Sequence, residues 1–341
     1  MSIVSHTEVS ALLQRFLDWA HTMGWRYTML PYNLAHFRHF LEQRGVGSLA
    51  EVDAGLLLAY RRALAATRSP ATVNGRLSAL RALWRYLERE GLVANDIARD
   101  LASLCPDYFV PHLYGQAELS HIDAAARAAI GQTRKPAERF SRQMRRAAFA
   151  LLRDCGLRVS EACRLNVDDY DSVARTLRIE RTKFFKTRVI PLPRTTCALL
   201  EQYLEHRRWV VAQRRAPVEL FFPSVRGRRL TRGSLEAPFK HLLRELNLYR
   251  PRRREDRTVF GSTNLHALRH SYAVRSLERW QQQRRDVERL LPLLSSYMGH
   301  AHVNYTKHYL HLSPLLSQLA SERFGAMFLP LLDGYGTHDD E

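Results

Sequence analysis

Apolar side chains return every three or four residues along most of this 341-residue chain, and that spacing predicts a mainly α-helical protein. Val9, Leu12, Leu13, Phe16, Leu17 and Ala20 make one stripe within a helix over Val9 to Met23, and Leu34 to Leu41 make another. A third helix, Ala54 to Ala65, follows Asp53, a residue type that caps helix N-termini. The fourth pattern is the clearest. Ser69-Pro70 opens it, Val73, Leu77, Leu80, Leu83, Trp84 and Leu87 line one face, and Gly91 stops it. Its other face carries Asn74, Arg76, Ser78, Arg81 and Arg85. A face of that kind is either a solvated surface or a surface that touches phosphate.

The pattern breaks over residues 106–117, where Pro106, Pro111 and Gly115 interrupt any periodicity, so this stretch is expected to be a linker. Helical spacing resumes from Glu118 to Arg127 and from Ser141 to Cys155. Thr176 to Glu180 then alternates and Arg188-Val-Ile-Pro-Leu192 is a compact apolar run. These read as two strands of a small antiparallel β-sheet, with Lys183-Phe-Phe-Lys186 at the hairpin tip. Further helices are expected over Thr195 to Trp209, Leu235 to Leu246, His266 to Trp280 and Val287 to Tyr297. Arg250 to Arg257 is a charge run that reads as an exposed loop. The organisation expected is therefore a helical domain over 1–105, a linker over 106–117, a mixed α/β domain over 118–330 and a mobile tail over 331–341.

Charge narrows the possible partners. Lys and Arg number 52 against 34 Asp and Glu, a formal net charge of +18. Such an excess favours a polyanion, because cations that neutralise phosphates release condensed counterions. An anionic membrane is the competing partner, but no run of ~18 apolar residues, signal peptide or basic amphipathic anchor is evident. The expectation is a cytoplasmic, nucleoid-associated protein with no membrane partner. The four cysteines, Cys105, Cys155, Cys163 and Cys197, include no CxxC pair, which argues against a zinc ribbon. Buried free thiols in a reducing compartment fit them best.

Three segments carry candidate chemistry: Gly156-Leu-Arg158-Val-Ser-Glu161, His266-Ala-Leu-Arg269-His270, and His300 through Tyr305 to Tyr309. Cleaving a phosphodiester without a metal needs cations on the non-bridging oxygens, and guanidinium forks match phosphate geometry and stay charged. Arg158 and Arg269, at the starts of two helices, suit that task. A tyrosine hydroxyl has a pKa of about 10 in isolation, and beside two guanidinium groups its ionised form is expected to be favoured. Lys183 or Lys186 on the hairpin could protonate a leaving oxygen. Taken singly, each piece has an ordinary structural reading: a surface arginine at a helix start, a packed histidine pair, a helix C-cap, a core tyrosine. HxLRH also lacks the glutamate of a zinc protease motif.

In order and spacing these pieces resemble the tyrosine recombinases, or phage integrase family, over nearly the whole chain and most strongly from Leu151 to Leu312. The "G-L-R-x-S-E" segment supplies Arg158 and the acidic supporter Glu161. The hairpin lysine before the "hydrophobic-Pro-Leu" strand maps to Lys183, with Lys186 next along; relatives often carry Gly-Lys-Gly where this chain has Lys-Phe-Phe-Lys. "H-x-L-R-H" supplies His266 and Arg269. "G-H" and a tyrosine nine positions on supply His300 and Tyr309. The helix from Ser69 to Tyr86 matches the family's core-binding domain. The resemblance implies a C-shaped clamp of two domains on double-stranded DNA and a homotetramer on paired recombination sites. Its chemistry would be a 3′-phosphotyrosyl intermediate formed by Tyr309, with Arg158, Arg269, His266 and His300 on the phosphate and Lys183 as general acid. The covalent link conserves bond energy, so no metal or other cofactor is expected. Integration or transposition of a mobile element is the favoured role, with dimer resolution as the alternative. A type IB topoisomerase and a DNA-binding protein without catalysis are the competing readings. The apolar stretch after Leu312 could dock on a neighbouring subunit or pack on its own domain.

Overall fold

The structure, a computed structural model, describes residues 3–25, 28–180, 187–214 and 219–312. The chain divides into two compact units, Met1–Tyr108 and Phe109–Glu341.

The first unit is helical: α1 (Ile3–Thr22), α2 (Leu30–Glu42), α3 (Ala54–Thr67) and α4 (Pro70–Arg89). Local chemistry sets the ends. The Asp53 carboxylate accepts from Leu56 N at 2.7 Å, Ser69 caps α4, and Gly91 follows α4 with φ +69°. The apolar stripe of α4 lies at the centre of the core, where Leu77, Leu80, Leu83, Trp84 and Leu87 meet Phe16, Phe37 and Tyr60. Each such side chain contributes about 2 kcal/mol on leaving water.

The polar face of α4 differs from the free basic surface expected of it. Asn74 donates to Leu104 O at 2.8 Å and accepts from Leu104 N at 2.7 Å. Arg81 donates to Leu101 O and to Ser103 Oγ at 2.7 and 2.9 Å. These side chains tie the segment after α4 back onto the helix. Arg76 is only 3% exposed, and its Nε and Nη1 find no hydrogen-bond partner. Arg85 is exposed and bonds back to Arg81 O.

The second unit is built around α6 (Pro136–Cys155), which packs against α5 (Gln116–Gly131), α8 (Arg194–Arg214) and α10 (Leu265–Gln282). Proline opens α6 and left-handed Gly156 closes it, with Phe140, Met144, Ala147, Ala148, Leu151 and Leu152 facing inward. Of the expected linker 106–117, Tyr114 is a core residue of this unit and α5 begins at Gln116. The short α7 is Val159–Ala162. Strands Tyr170–Asp171, Thr176–Ile179 and Arg188–Pro191 form an antiparallel sheet in which Leu177 pairs with Ile190 and Ile179 with Arg188. The alternation is as read: Leu177, Ile179 and Ile190 are buried and Val189 faces out.

The charge run is not wholly a loop. Arg253–Glu255 pairs antiparallel with Thr258–Phe260 in a second three-stranded sheet. All three residues of that edge strand are exposed, so its composition resembles a loop and only backbone pairing makes it a strand. The unit closes with α9 (Arg232–Glu245), α11 (Val287–Met298) and α12 (Asn304–Lys307), followed by the 3-10 turn His308–Leu312. No described helix is long and apolar enough to cross a membrane.

Candidate active site

Arg158, Glu161, His266, Arg269, His300 and Tyr309, spread over some 150 positions of sequence, converge where three helix ends meet. Gly156 turns the chain out of α6 at φ +60°, and an added Cβ there would collide with the Tyr272 ring. Arg158 therefore stands at the start of α7, where Glu161 caps its backbone N–H at 2.9 Å. Asn264 caps α10 by accepting from Ala267 N at 3.0 Å, which sets His266, Arg269 and His270 on the first two turns. Gly299, at φ +66°, turns the chain out of α11 and delivers His300.

The guanidinium groups are held by backbone. Arg269 is 2% exposed and donates to Gly156 O and Met298 O, both at 2.6 Å. Arg158 donates to Gly299 O and Glu161 Oε1, each at 2.8 Å. Both arginines thus bind the glycine turns that carry the other site residues. Burial and the neighbouring Arg158 charge lower the Arg269 pKa to about 10, and the side chain remains charged at neutral pH.

Glu161 supports a second arginine that sequence reasoning passed over. Arg188, at the start of its strand, meets the Glu161 carboxylate at 2.9 and 3.1 Å and donates through Nε to Tyr297 O at 2.7 Å. Burial works against the Glu161 charge, but the Arg188 bonds and charge outweigh it and hold the carboxyl at about 2. The only sequence signal for Arg188 is its position at the mouth of the hairpin. Lys183 and Lys186 lie outside the described residues.

Two tyrosines competed in the sequence, and their settings differ. Tyr305 is 61% exposed, whereas Tyr309 is 4% exposed. The Tyr309 ring joins Val274, Leu277, Leu294 and Met298 in a small core, while its hydroxyl lies 2.9 Å from His270 Nδ1. Its ring also faces His300 at 6.3 Å, nearly parallel. Burial raises the Tyr309 pKa, and the charges of Arg269 and Arg158 offset this only in part. The ionised tyrosine expected from its arginine neighbours is therefore not favoured: desolvation outweighs their attraction.

His266, His270 and His300 are neutral at physiological pH. Burial first, then the charges of Arg269 and Arg158, bring His300 to about 3, and His300 Nδ1 sits 2.8 Å from Thr306 Oγ1. His266 keeps an exposed edge yet is lowered to about 4 by partial burial and by the Arg269, Arg232 and Arg158 charges. Its ring stands edge-on to His270, centroids 4.5 Å apart. The result is a cationic cradle with neutral imidazoles and one protonated phenol, suited to binding a phosphate and attacking it.

The phage integrase family matches residues 132–315, and the phage integrase N-terminal SAM-like domain matches residues 26–91. The chain belongs to the phage integrase family. These are tyrosine recombinases, enzymes that break and rejoin DNA. A Sinorhizobium fredii protein named as integrase/recombinase y4rB is 32% identical over 316 residues, covering 91% of this chain and 95% of the relative. Tyrosine recombinase XerD of Mycobacterium tuberculosis is 28% identical over 285 residues, covering 81% and 84%. Among solved structures, the Tn1549 transposon integrase in complex with a circular intermediate DNA shares the fold with TM-score 0.64 at 17% identity, covering 92% of this chain and 99% of that one.

Proposed function

We propose that this recombinase cuts and rejoins double-stranded DNA at specific sites through a 3′-phosphotyrosyl intermediate, with Tyr309 as the nucleophile. The observation that carries the reading is that buried Tyr309 lies within the charge field of Arg269 and Arg158 with its ring against His300, whereas Tyr305 is exposed. Tyr309 Oη attacks the scissile phosphorus and expels a 5′-hydroxyl. Arg158, Arg269 and His300 stabilise the charge that builds on the non-bridging oxygens, and His266 bonds the phosphate. Lys183, or Lys186 next to it, protonates the leaving oxygen. Arg188 and Glu161 hold the cradle rather than touch DNA. A 5′-hydroxyl from a partner duplex reverses the step.

The enzyme acts as a homotetramer on paired sites. In its N-terminal unit, the exposed Arg85 contacts phosphate, whereas Arg76 is buried with its unpartnered Nε and Nη1 out of reach of solvent. Asn74 and Arg81 set the shape of that surface. The favoured role is mobile-element integration or transposition, in line with the integrase/recombinase name of the Sinorhizobium relative. The similarity to XerD supports a second reading, resolution of DNA dimers.

The chemistry is tested by trapping covalent protein–DNA adducts on nicked duplexes that strand the intermediate. Wild type and Tyr305→Phe should form adducts, and Tyr309→Phe should bind DNA without forming any. Adducts in Tyr309→Phe would overturn the assignment. Plasmids with direct or inverted site pairs, compared with intermolecular joining, separate the two roles.

A further inference from the structure

His270 has no place in the scheme above, yet its Nδ1 is 2.9 Å from the Tyr309 hydroxyl. His266, the other histidine of the same helical turn, contacts the His270 ring instead, and the ring contacts of Tyr309 are with His270, His300 and His308. A buried phenol held protonated needs somewhere to send its proton as it attacks. We propose that His270 is a catalytic residue of the strand-cleavage step: its Nδ1 takes the proton from Tyr309 Oη. This rests on Tyr309 being the nucleophile.

The step balances without any added reagent. With the imidazole proton on Nε2, Nδ1 accepts the hydrogen bond from Tyr309. As the Oη–P bond forms and the P–O5′ bond breaks, the phenolic proton passes to Nδ1, and the hairpin acid supplies a proton to the 5′-oxygen. In rejoining, the departing Tyr309 oxygen recovers its proton from His270.

Charge around His270 makes the transfer conditional on substrate. Burial and a ring of neighbours, His266 and Arg269 on α10, His308 in the final turn and His300 after α11, hold the free imidazole neutral at about 3. An imidazolium is thus opposed in the empty site, and Tyr309 keeps its proton. A phosphodiester seated on Arg158 and Arg269 brings negative charge beside these groups and gains more in the transition state, which favours the imidazolium at that moment. Tyr309 would stay unreactive until a phosphate is bound.

The test uses the full chain and a nicked duplex selected by wild-type adduct capture from a random-sequence pool. Single-turnover adduct formation should fall by about 10² to 10⁴ in His270→Ala, the usual worth of a positioned base, with DNA binding unchanged. The His270→Ala rate should climb with pH as hydroxide takes over, while wild type stays flat above neutrality. His270→Asn keeps an acceptor near the Nδ1 position but cannot hold a proton, so it should stay close to His270→Ala. Restoration of near wild-type rate in His270→Asn would reduce the residue to a positioning contact and overturn the proposal. So would a His270→Ala rate within threefold of wild type. Adducts in Tyr309→Phe, or none in wild type, would refute the nucleophile assignment, a result separable from either His270 outcome.

Discussion

Glu161 is the carboxylate that bridges the Arg158 and Arg188 guanidinium groups, and replacing it with glutamine tests how the cradle is held. Its side chain is 1% exposed and binds both arginines. The carboxyl is held at about 2, against an ordinary value of 4.5. That gap corresponds to about 3 kcal/mol, matching the cost of about 3–5 kcal/mol usual for breaking a buried ion pair. Because the folded-state pKa is depressed, the contribution is fully present above 4.5 and is lost as pH falls through 4.5 towards 2. Glu161→Gln should therefore destabilise the second unit by about 3 kcal/mol at pH 7, while the difference from wild type should vanish near pH 2. Native-state amide exchange of peptides spanning 156–165, in parallel with urea unfolding, reads this unit separately from the first. Equal protection in the two proteins at pH 7, or a difference that persists unchanged at pH 2, would refute the reasoning. Adduct formation should fall with it, since Arg158 loses the partner that fixes its fork.

Gly299→Ala should lower adduct formation at least a hundredfold, because φ is +66° there and the new Cβ would lie 2.7 Å from Arg188 Nη1; unchanged single-turnover kinetics would show the turn to be compliant. Arg188→Lys should cost at least tenfold in the same assay, since an ammonium cannot reproduce the bidentate contact with Glu161. Arg76→Met should leave thermal stability of the first unit unchanged or raise it, because it removes a buried charge whose Nε and Nη1 have no partner; a lowered unfolding temperature would count against this. Asn74→Ala should free the segment around Leu104 at a cost of about 1–3 kcal/mol, seen as faster amide exchange at Leu104, whose N–H it binds.

The sequence by itself determined the helices, the strand pair Thr176–Ile179 with Arg188–Pro191, and the spacing that singled out Arg158, His266, Arg269, His300 and Tyr309. Those features are local: apolar period, cap chemistry, glycine turns and motif spacing are all written within a few residues of one another. What tertiary structure decided depends on neighbours distant along the chain. Arg76 lies buried on α4, against which α2 and α3 pack, although its helix face looks solvated in isolation. The Arg253–Glu255 strand exists because a partner strand pairs with a backbone whose side chains all face water. Arg188 joins the site because the hairpin mouth packs against the end of α11. His270 rather than His266 meets the tyrosine because the final helical turn docks against α10. The protonation of Tyr309 turns on a balance between desolvation and two guanidinium charges, and only the packed interior sets how much water each group loses.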